Sequence, residues 1–316
     1  MTGEAHLGFA CFGGTVTIHV RGESAAAGQR AAGEAQDRLL EAHQRLSRFL
    51  PEGELSRLNR DPRPLVPASP LLLELARAVR TAGEYSGGLV DATLLGEIEH
   101  AGYCESLGAE RPVSLAEALA SRAERAPAGP APAARWRTVE VDAQAGAIMR
   151  PPGLRIDGGG IAKGLLADLV AAGLGESRAF AVDCCGDLRL GGAAGQPRRV
   201  LVEDPFGGGP LHELALREGA VATSGIGRRC WRGPEGRVAH HILDPRSGEP
   251  AFTGLVQATA LASSALVAEA YAKAALLSGP ERGAEWLPCG GVLVGEDGGV
   301  EVVAATEALV SQAVGR

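Results

Sequence analysis

The sequence predicts an α+β fold in which mainly antiparallel sheets are flanked by helices. Its short β-like segments are mixed with helical ones, without the strict strand–helix–strand alternation of a parallel sheet. Turns rich in Gly and Pro separate the β-like segments. Hydrophobic residues make up 45% of the chain and charged residues 22%, which is typical of a globular protein with a sizeable core. One large domain and two closely packed lobes would both fit a chain of 316 residues.

The front of the chain, about residues 21–125, is predicted to be mainly helical. Residues 15–20 alternate as an opening strand, and residues 25–49 carry apolar side chains at helical spacing. Ser69 and Pro70 predict the start of a further helix, because a hydroxyl caps the first amides and proline needs no donor there. Ser86, Gly87 and Gly88 end it.

The segment 126–135 is rich in Pro and Ala and is predicted to be an exposed loop. The rear, residues 136–316, is predicted to be rich in strands, at 138–141, 179–183, 199–203, 220–224, 240–243 and 256–261. Two Ala-rich helices, at 160–173 and 264–278, interrupt this series. Lys163 and Lys273 are the only lysines among 31 basic residues, and each of these helices carries one.

Composition excludes several classes of function. The net charge is −7 and no long run of Lys or Arg occurs, so a nucleic-acid partner is not expected. The first 14 residues lack the basic start and apolar stretch of a secretory signal, and no stretch is apolar enough to span a membrane. Six cysteines without a CxxC spacing argue against structural zinc or a disulfide framework. We therefore predict a cytoplasmic protein with small-molecule or protein partners.

A glycine-rich turn at residues 155–164 (RIDGGGIAKG) is the first candidate site. Its glycines would let backbone amides approach an anion, and a helix beginning there would add positive charge at its N-terminus. A pyrophosphate could bind at such a turn. A tight structural turn is an equally good interpretation of these residues alone.

Two further segments carry candidate side chains. His240 and His241 are predicted on a short strand, where neighbours face opposite ways, so at most one would enter a given site. A neutral histidine in a cleft can accept a proton near neutral pH, although a core histidine beside a solvated one is the simpler interpretation. Glu269 and Lys273 lie four residues apart on one predicted helix face, in the favourable order for an ion pair. That face could be solvated or could line a cleft.

In their order, these segments resemble the ApbE family of FAD:protein FMN transferases. The resemblance covers about residues 11–279. It is carried by a Gly-Thr pair before the first predicted strand, then ELSRLN, SGGLVDAT, IDGGGIAKG, VDCCGDLRLGG, ATSG, HHILDPRSGEP and the last Ala-rich helix. The resemblance implies that residues 1–316 form one catalytic domain of T-fold-like α+β architecture, with FAD bound between lobes.

The resemblance also implies a reaction and a set of site residues. A Thr or Ser hydroxyl of an intracellular acceptor protein would attack the FMN-side phosphorus of FAD near a magnesium ion, and AMP would leave. Leu89, Val90 and Asp91 would line the flavin nucleotide, and the turn from Asp157 through Gly159 to Lys163 would approach the pyrophosphate. The predicted base is His241, with Ile242 beside the cofactor. The Ala162 carbonyl and Glu269 would bind the metal.

The chain departs from the family pattern in the last helix. The resemblance implies an Asp and, four residues on, a Thr as metal ligands, where this chain has Glu269 and Lys273. Protonated lysine is not a magnesium ligand. We hypothesise that the Lys273 ammonium, held by Glu269, replaces part of the metal's charge, or that magnesium binds weakly through Glu269 alone. The usual aromatic after ATSG is also missing, and Trp231 is a candidate substitute.

Two alternatives to transfer remain open at this point. The protein could instead be an FAD pyrophosphatase that releases FMN and AMP to water. It could also be a non-catalytic FAD-binding module in which the altered metal helix has abolished turnover.

Overall fold

The computed structural model describes residues 3–105, 113–121, 124–176, 178–192, 197–233 and 236–306. The end of the predicted domain, residues 307–316, and part of its helical front, residues 106–112, lie outside the described residues. In the described part, every helix is too short or too polar to cross a bilayer.

The strands and helices follow one another irregularly along the chain. The strands are β1 (Glu4–Cys11), β2 (Gly14–Arg21), β3 (Leu65–Pro67), β4 (Glu140–Asp142), β5 (Ala147–Met149), β6 (Ala179–Cys184), β7 (Asp187–Gly191), β8 (Arg198–Val202), β9 (His212–Leu216), β10 (Gly219–Gly225), β11 (Cys230–Arg232), β12 (Val238–His240), β13 (Leu255–Ala262), β14 (Gly291–Gly295) and β15 (Val300–Val303). The helices are α1 (Ala25–Leu46), α2 (Glu54–Arg60), α3 (Pro70–Tyr85), α4 (Leu95–His100), α5 (Leu115–Ala120), α6 (Ala162–Leu174) and α7 (Ala265–Ser278).

One large sheet organises the fold. Its strand order is β1-β2-β6-β7-β10-β13-β14-β15, and each neighbouring pair is antiparallel. The smaller sheets β3-β5-β4, β8-β9 and β11-β12 are antiparallel as well. The predicted α+β class with mainly antiparallel pairing is therefore confirmed.

Three helices cover one face of the large sheet. Helix α1 packs on β1 and β2, α6 on β6 and β7, and α7 on β10 and β13, while α3 packs outside them against α6 and α7. Helices α6 and α7 approach closely at Gly164, where a Cβ atom would lie 2.6 Å from the Ala265 carbonyl oxygen. Both faces of β13 are buried, and the β8-β9 hairpin adds Val202 and Leu216 to the core on its side.

Several predicted boundaries need correction. The sheet begins with β1, not with residues 15–20, because this edge strand is largely exposed and shows a weak apolar alternation. Helix α1 ends at Leu46 because Ser47 is extended. Phe49 therefore lies outside the helix, and the centre of its ring is 4.2 Å from the Arg48 guanidinium. The predicted strand at 138–141 is shorter, since residues Arg135–Thr138 form a 3-10 turn.

The predicted start of α3 is confirmed. Ser69 is its N-cap and accepts a hydrogen bond from the Leu72 N–H, with Pro70 in the first turn. Helices α6 and α7 also match the two predicted Ala-rich helices, although α6 begins at Ala162 because residues Gly158–Gly160 form a 3-10 turn.

Candidate functional site

A cleft opens where the loop after α3, the glycine turn before α6, the segment after β12 and helix α7 meet. Its lining is Leu89, Val90, Asp91, Ala92, Leu94, Ile98, Tyr103, Asp157, Gly159, Gly160, Ile161, Arg229, His241, Ile242, Leu243, Lys273 and Leu277. One part of this lining is apolar, and another carries the cations Arg229 and Lys273.

The glycine turn is held against both of its neighbours in the cleft. The Asp157 carboxylate accepts the Gly159 N–H at 2.9 Å, and the Asp157 N–H donates to the Ala92 carbonyl at 2.8 Å. A Cβ atom on Gly160 would lie 3.5 Å from Cε of Lys273. That distance is an ordinary van der Waals contact, so the lysine stem runs close beside the turn.

The loop after α3 presents an acceptor to the cleft. The Ser86 hydroxyl donates to the Ala82 carbonyl at 2.7 Å and accepts the Val90 N–H at 2.9 Å, which fixes the loop to the end of the helix. Oδ1 of Asp91 accepts the N–H and the hydroxyl of Thr93 at 2.8 and 2.6 Å. Oδ2 of Asp91 is buried without a hydrogen-bond partner among the described residues, so it is available to a ligand donor.

The two histidines have different surroundings. Strand β12 ends at His240, so the predicted strand at 240–243 is wrong in its extent, because the chain bends at His241. His240 is fully buried and packs edge-on against the Phe252 ring at 4.7 Å. His241 lines the cleft. Burial, the larger cause, and the positive charge of Arg229 together lower the pKa of His241 well below its usual range. The imidazole is therefore neutral at pH 7.

Behind the cleft lies a cluster of four charged side chains. Nζ of Lys273 is 2.9 Å from Oε1 of Glu269, and Nζ of Lys163 is 3.8 Å from the same oxygen. Lys163 also pairs directly with Asp187. The remaining oxygen of Glu269, Oε2, accepts the Gly164 N–H at 3.0 Å. Glu269 is fully buried, so the alternative of a solvated helix face is excluded for this residue.

Protonation in the cluster follows from burial and charge. Burial, with the nearby Glu269 carboxylate, raises the pKa of Asp187 to about 7. Burial alone would also raise the pKa of Glu269, but Lys273 and Lys163 outweigh it and lower that pKa below its usual value. Burial opposes the charge on Lys163, yet Asp187 and Glu269 raise its pKa. At neutral pH Glu269 is therefore ionised between two ammonium groups.

Glu269, the side chain predicted to bind magnesium, has surroundings that do not fit a divalent cation. Both oxygens of Glu269 already accept a donor, and two ammonium groups lie within 4 Å of one of them. A hard divalent ion needs several free oxygen ligands and would be repelled by those ammonium groups. Within the described ranges, no three His, Cys, Asp or Glu side chains are grouped so that they could hold a metal.

The structure brings most of the predicted site residues to the cleft but not all of them. Leu89, Val90, Asp91, Asp157, Gly159, His241, Ile242 and Lys273 line it. Lys163, Ala162 and Glu269 are not among its lining residues. Lys163 in particular, predicted to approach a pyrophosphate, turns instead to Asp187.

The lining side chains that sequence reasoning missed include an aromatic ring, Tyr103, and a cation, Arg229. Trp231, the candidate substitute aromatic, is not in the lining; its ring packs on Tyr103 with centroids 5.2 Å apart. Arg229 donates through Nη2 to the Phe12 carbonyl at 3.1 Å, which fixes it beside His241. No local pattern marks either residue, since both reach the cleft through contacts between distant segments.

Comparison with known proteins shows that the chain is similar to flavin transferases. Residues 12–292 match the model of the ApbE family. A FAD:protein FMN transferase of Vibrio cholerae is 29% identical over 290 residues, covering 89% of this chain and 83% of that protein. Another from Rhodobacter capsulatus is 34% identical over 138 residues, which cover 41% of this chain but only 25% of that protein's length.

Solved structures agree with this placement. The ApbE protein of Thermotoga maritima is 25% identical and superimposes with a TM-score of 0.76, covering 97% of this chain and 98% of its own. The flavinyl transferase ApbE of Pseudomonas stutzeri, in its apo form, is 23% identical, with a TM-score of 0.72 over 97% of this chain and 96% of its own. At that identity the second likeness supports the fold alone.

Proposed function

The chain belongs to the ApbE family, and on that basis we propose that it transfers FMN from FAD to a Thr or Ser hydroxyl of an acceptor protein and releases AMP. The observation that carries the proposal is the cleft itself, where a neutral imidazole, two cations and an apolar wall meet around a glycine turn. The acceptor and the cytoplasmic location remain predictions.

The cleft matches the two chemical parts of FAD. The isoalloxazine ring is flat and largely apolar, and Leu89, Ile98 and Tyr103 offer an apolar and aromatic surface for it. The diphosphate carries negative charge, and Arg229 and Lys273 lie on the same cleft. FAD also has an N–H and ribityl hydroxyls, any of which could donate to the unpaired Oδ2 of Asp91.

His241 is suited to act as the general base. Its lowered pKa keeps it neutral at pH 7, so a ring nitrogen can accept the proton of an attacking hydroxyl. The hydroxyl oxygen then forms a bond to the FMN-side phosphorus, and the bond from that phosphorus to the bridging oxygen breaks. AMP leaves with the bridging oxygen, and the proton remains on His241. Arg229 and Lys273 would offset the charge that develops on the phosphoryl oxygens.

Product analysis tests this proposal. The purified protein is incubated with FAD and with an acceptor protein that the Vibrio cholerae relative modifies. AMP is measured by chromatography, and covalent flavin by the fluorescence of the acceptor in a denaturing gel. We expect both products, and we expect His241→Asn to reduce both by roughly 10²-fold or more, as loss of a general base does.

Other products would identify a different function. AMP and free FMN without flavin on the acceptor would indicate an FAD pyrophosphatase. FAD binding without AMP would indicate a binding module. The Vibrio cholerae relative serves as the positive control for the acceptor.

A further inference from the structure

We propose that the ammonium of Lys273, held in place by Glu269, supplies the positive charge that faces the FAD diphosphate, so that FAD binding and transfer need no divalent metal. This inference rests on the proposed function, because it names the cation of the same site. Arg229 is the second cation that faces the diphosphate.

Helix α7 and the glycine turn together determine where the ammonium lies. Glu269 and Lys273 are one helical turn apart, and their contact of 2.9 Å directs the lysine along the helix surface. The lysine stem passes close to Gly160, where a Cβ atom would lie 3.5 Å from Cε of Lys273. The side chain of Lys273 is 13% exposed and lines the cleft. Its charge therefore reaches the ligand space while its stem is packed.

Each oxygen of the carboxylate that would bind a metal already accepts a hydrogen bond. Glu269 receives the Gly164 N–H on one oxygen and Lys273 on the other, with Lys163 at 3.8 Å. To bind a divalent ion, Glu269 would have to release Lys273 and leave a partly buried ammonium without its partner, which is costly. The formal charges of Lys163, Asp187, Glu269 and Lys273 sum to zero when all are ionised, so no excess negative charge attracts a cation.

Arg229 brings a second positive charge to the same cleft. Its guanidinium is anchored by the Phe12 carbonyl at 3.1 Å, and it lies in the segment after β10 where the family resemblance places an aromatic residue. Guanidinium groups bind phosphate oxygens through several N–H donors. Two fixed monovalent cations can thus balance the two charges of a diphosphate without an added ion.

The test measures ligand binding and turnover separately. Dissociation constants of FAD and of riboflavin, which lacks phosphate, are measured by flavin fluorescence in EDTA and in Mg²⁺. For the unchanged protein, we expect EDTA to leave FAD affinity and AMP release unaltered. We expect Lys273→Met to weaken FAD binding roughly tenfold or more, as for a lost charge-assisted hydrogen bond, and to leave riboflavin binding unchanged.

Matched variants separate charge from packing. Lys273→Arg keeps the charge and should retain most of the affinity for FAD. Arg77→Met removes an exposed cation that pairs with Glu74 on α3 and should change neither ligand's affinity. The double variant Glu269→Asp with Lys273→Thr replaces the ammonium by oxygen ligands and should make FAD binding respond to Mg²⁺.

The outcomes distinguish this inference from the proposed function. If EDTA abolishes FAD binding or AMP release by the unchanged protein, or if Lys273→Met weakens riboflavin as much as FAD, the inference is wrong while transfer can still stand. If Lys273→Met selectively weakens FAD in EDTA but AMP never forms, the ammonium site stands and the proposed transferase does not.

Discussion

Replacing Glu269 with glutamine should destabilise the fold by about 3 kcal/mol, at the lower end of the roughly 3–5 kcal/mol lost when one partner of a buried ion pair is removed. The change removes the charge that faces Lys273 at 2.9 Å and Lys163 at 3.8 Å. Lys163 keeps Asp187, and the glutamine oxygen can still accept the Gly164 N–H. Lys273 reaches the cleft edge and is partly hydrated. These three facts place the effect at the low end.

Urea unfolding followed by circular dichroism measures this difference directly. In thermal unfolding, about 3 kcal/mol corresponds to a fall of roughly 4–5 °C for a chain of 316 residues. The matched control is Glu285→Gln, which removes the same charge from an exposed pair with Arg282, where the side chain of Glu285 is 59% exposed. Such a change should cost less than about 0.5 kcal/mol.

A second variant tests the cause of the loss. Adding Lys273→Met to Glu269→Gln removes the unpaired ammonium and should restore much of the stability, because replacing both charges of a buried pair is often neutral. If Glu269→Gln alone unfolds within about 0.5 kcal/mol of the unchanged protein, the charge cluster is not buried as described, and the reasoning fails.

Two other predictions follow from packing and from protonation. Gly164→Ala should lower the free energy of unfolding in urea by about 1–3 kcal/mol or more, because its Cβ would lie 2.6 Å from the backbone of α7. The control is Gly33→Ala in α1, where a Cβ meets nothing within 4 Å and should stabilise the protein by roughly 0.5–1 kcal/mol. Equal effects of the two changes would contradict the close contact between α6 and α7. The free energy of unfolding should fall as the pH drops below about 6.5, since unfolded His241 then binds a proton that the folded imidazole, with its lowered pKa, does not. His241→Asn should reduce that fall between about pH 7 and 5, and identical pH slopes for the two proteins would show that the imidazole is not held neutral.

Local signals in the sequence were sufficient for several elements. Ser69 and Pro70 marked the start of α3 because a hydroxyl cap and a first-turn proline act within a few residues. The last Ala-rich helix, predicted at 264–278, agrees with α7 to one residue. In contrast, β1 was missed because an exposed edge strand does not need the apolar alternation that marks a half-buried one.

The amino-acid sequence by itself determined the α+β class, the ordered motifs that place the chain in its family, and the positions of its two lysines on two helices. Only the tertiary structure decided that Lys163 turns to Asp187 while Lys273 enters the cleft with Arg229 and Tyr103. Helical periodicity tells which residues share a face of one helix, but not what that face meets. Here the close packing of α6 on α7 at Gly164, and contacts between segments far apart in the chain, determine what each lysine meets.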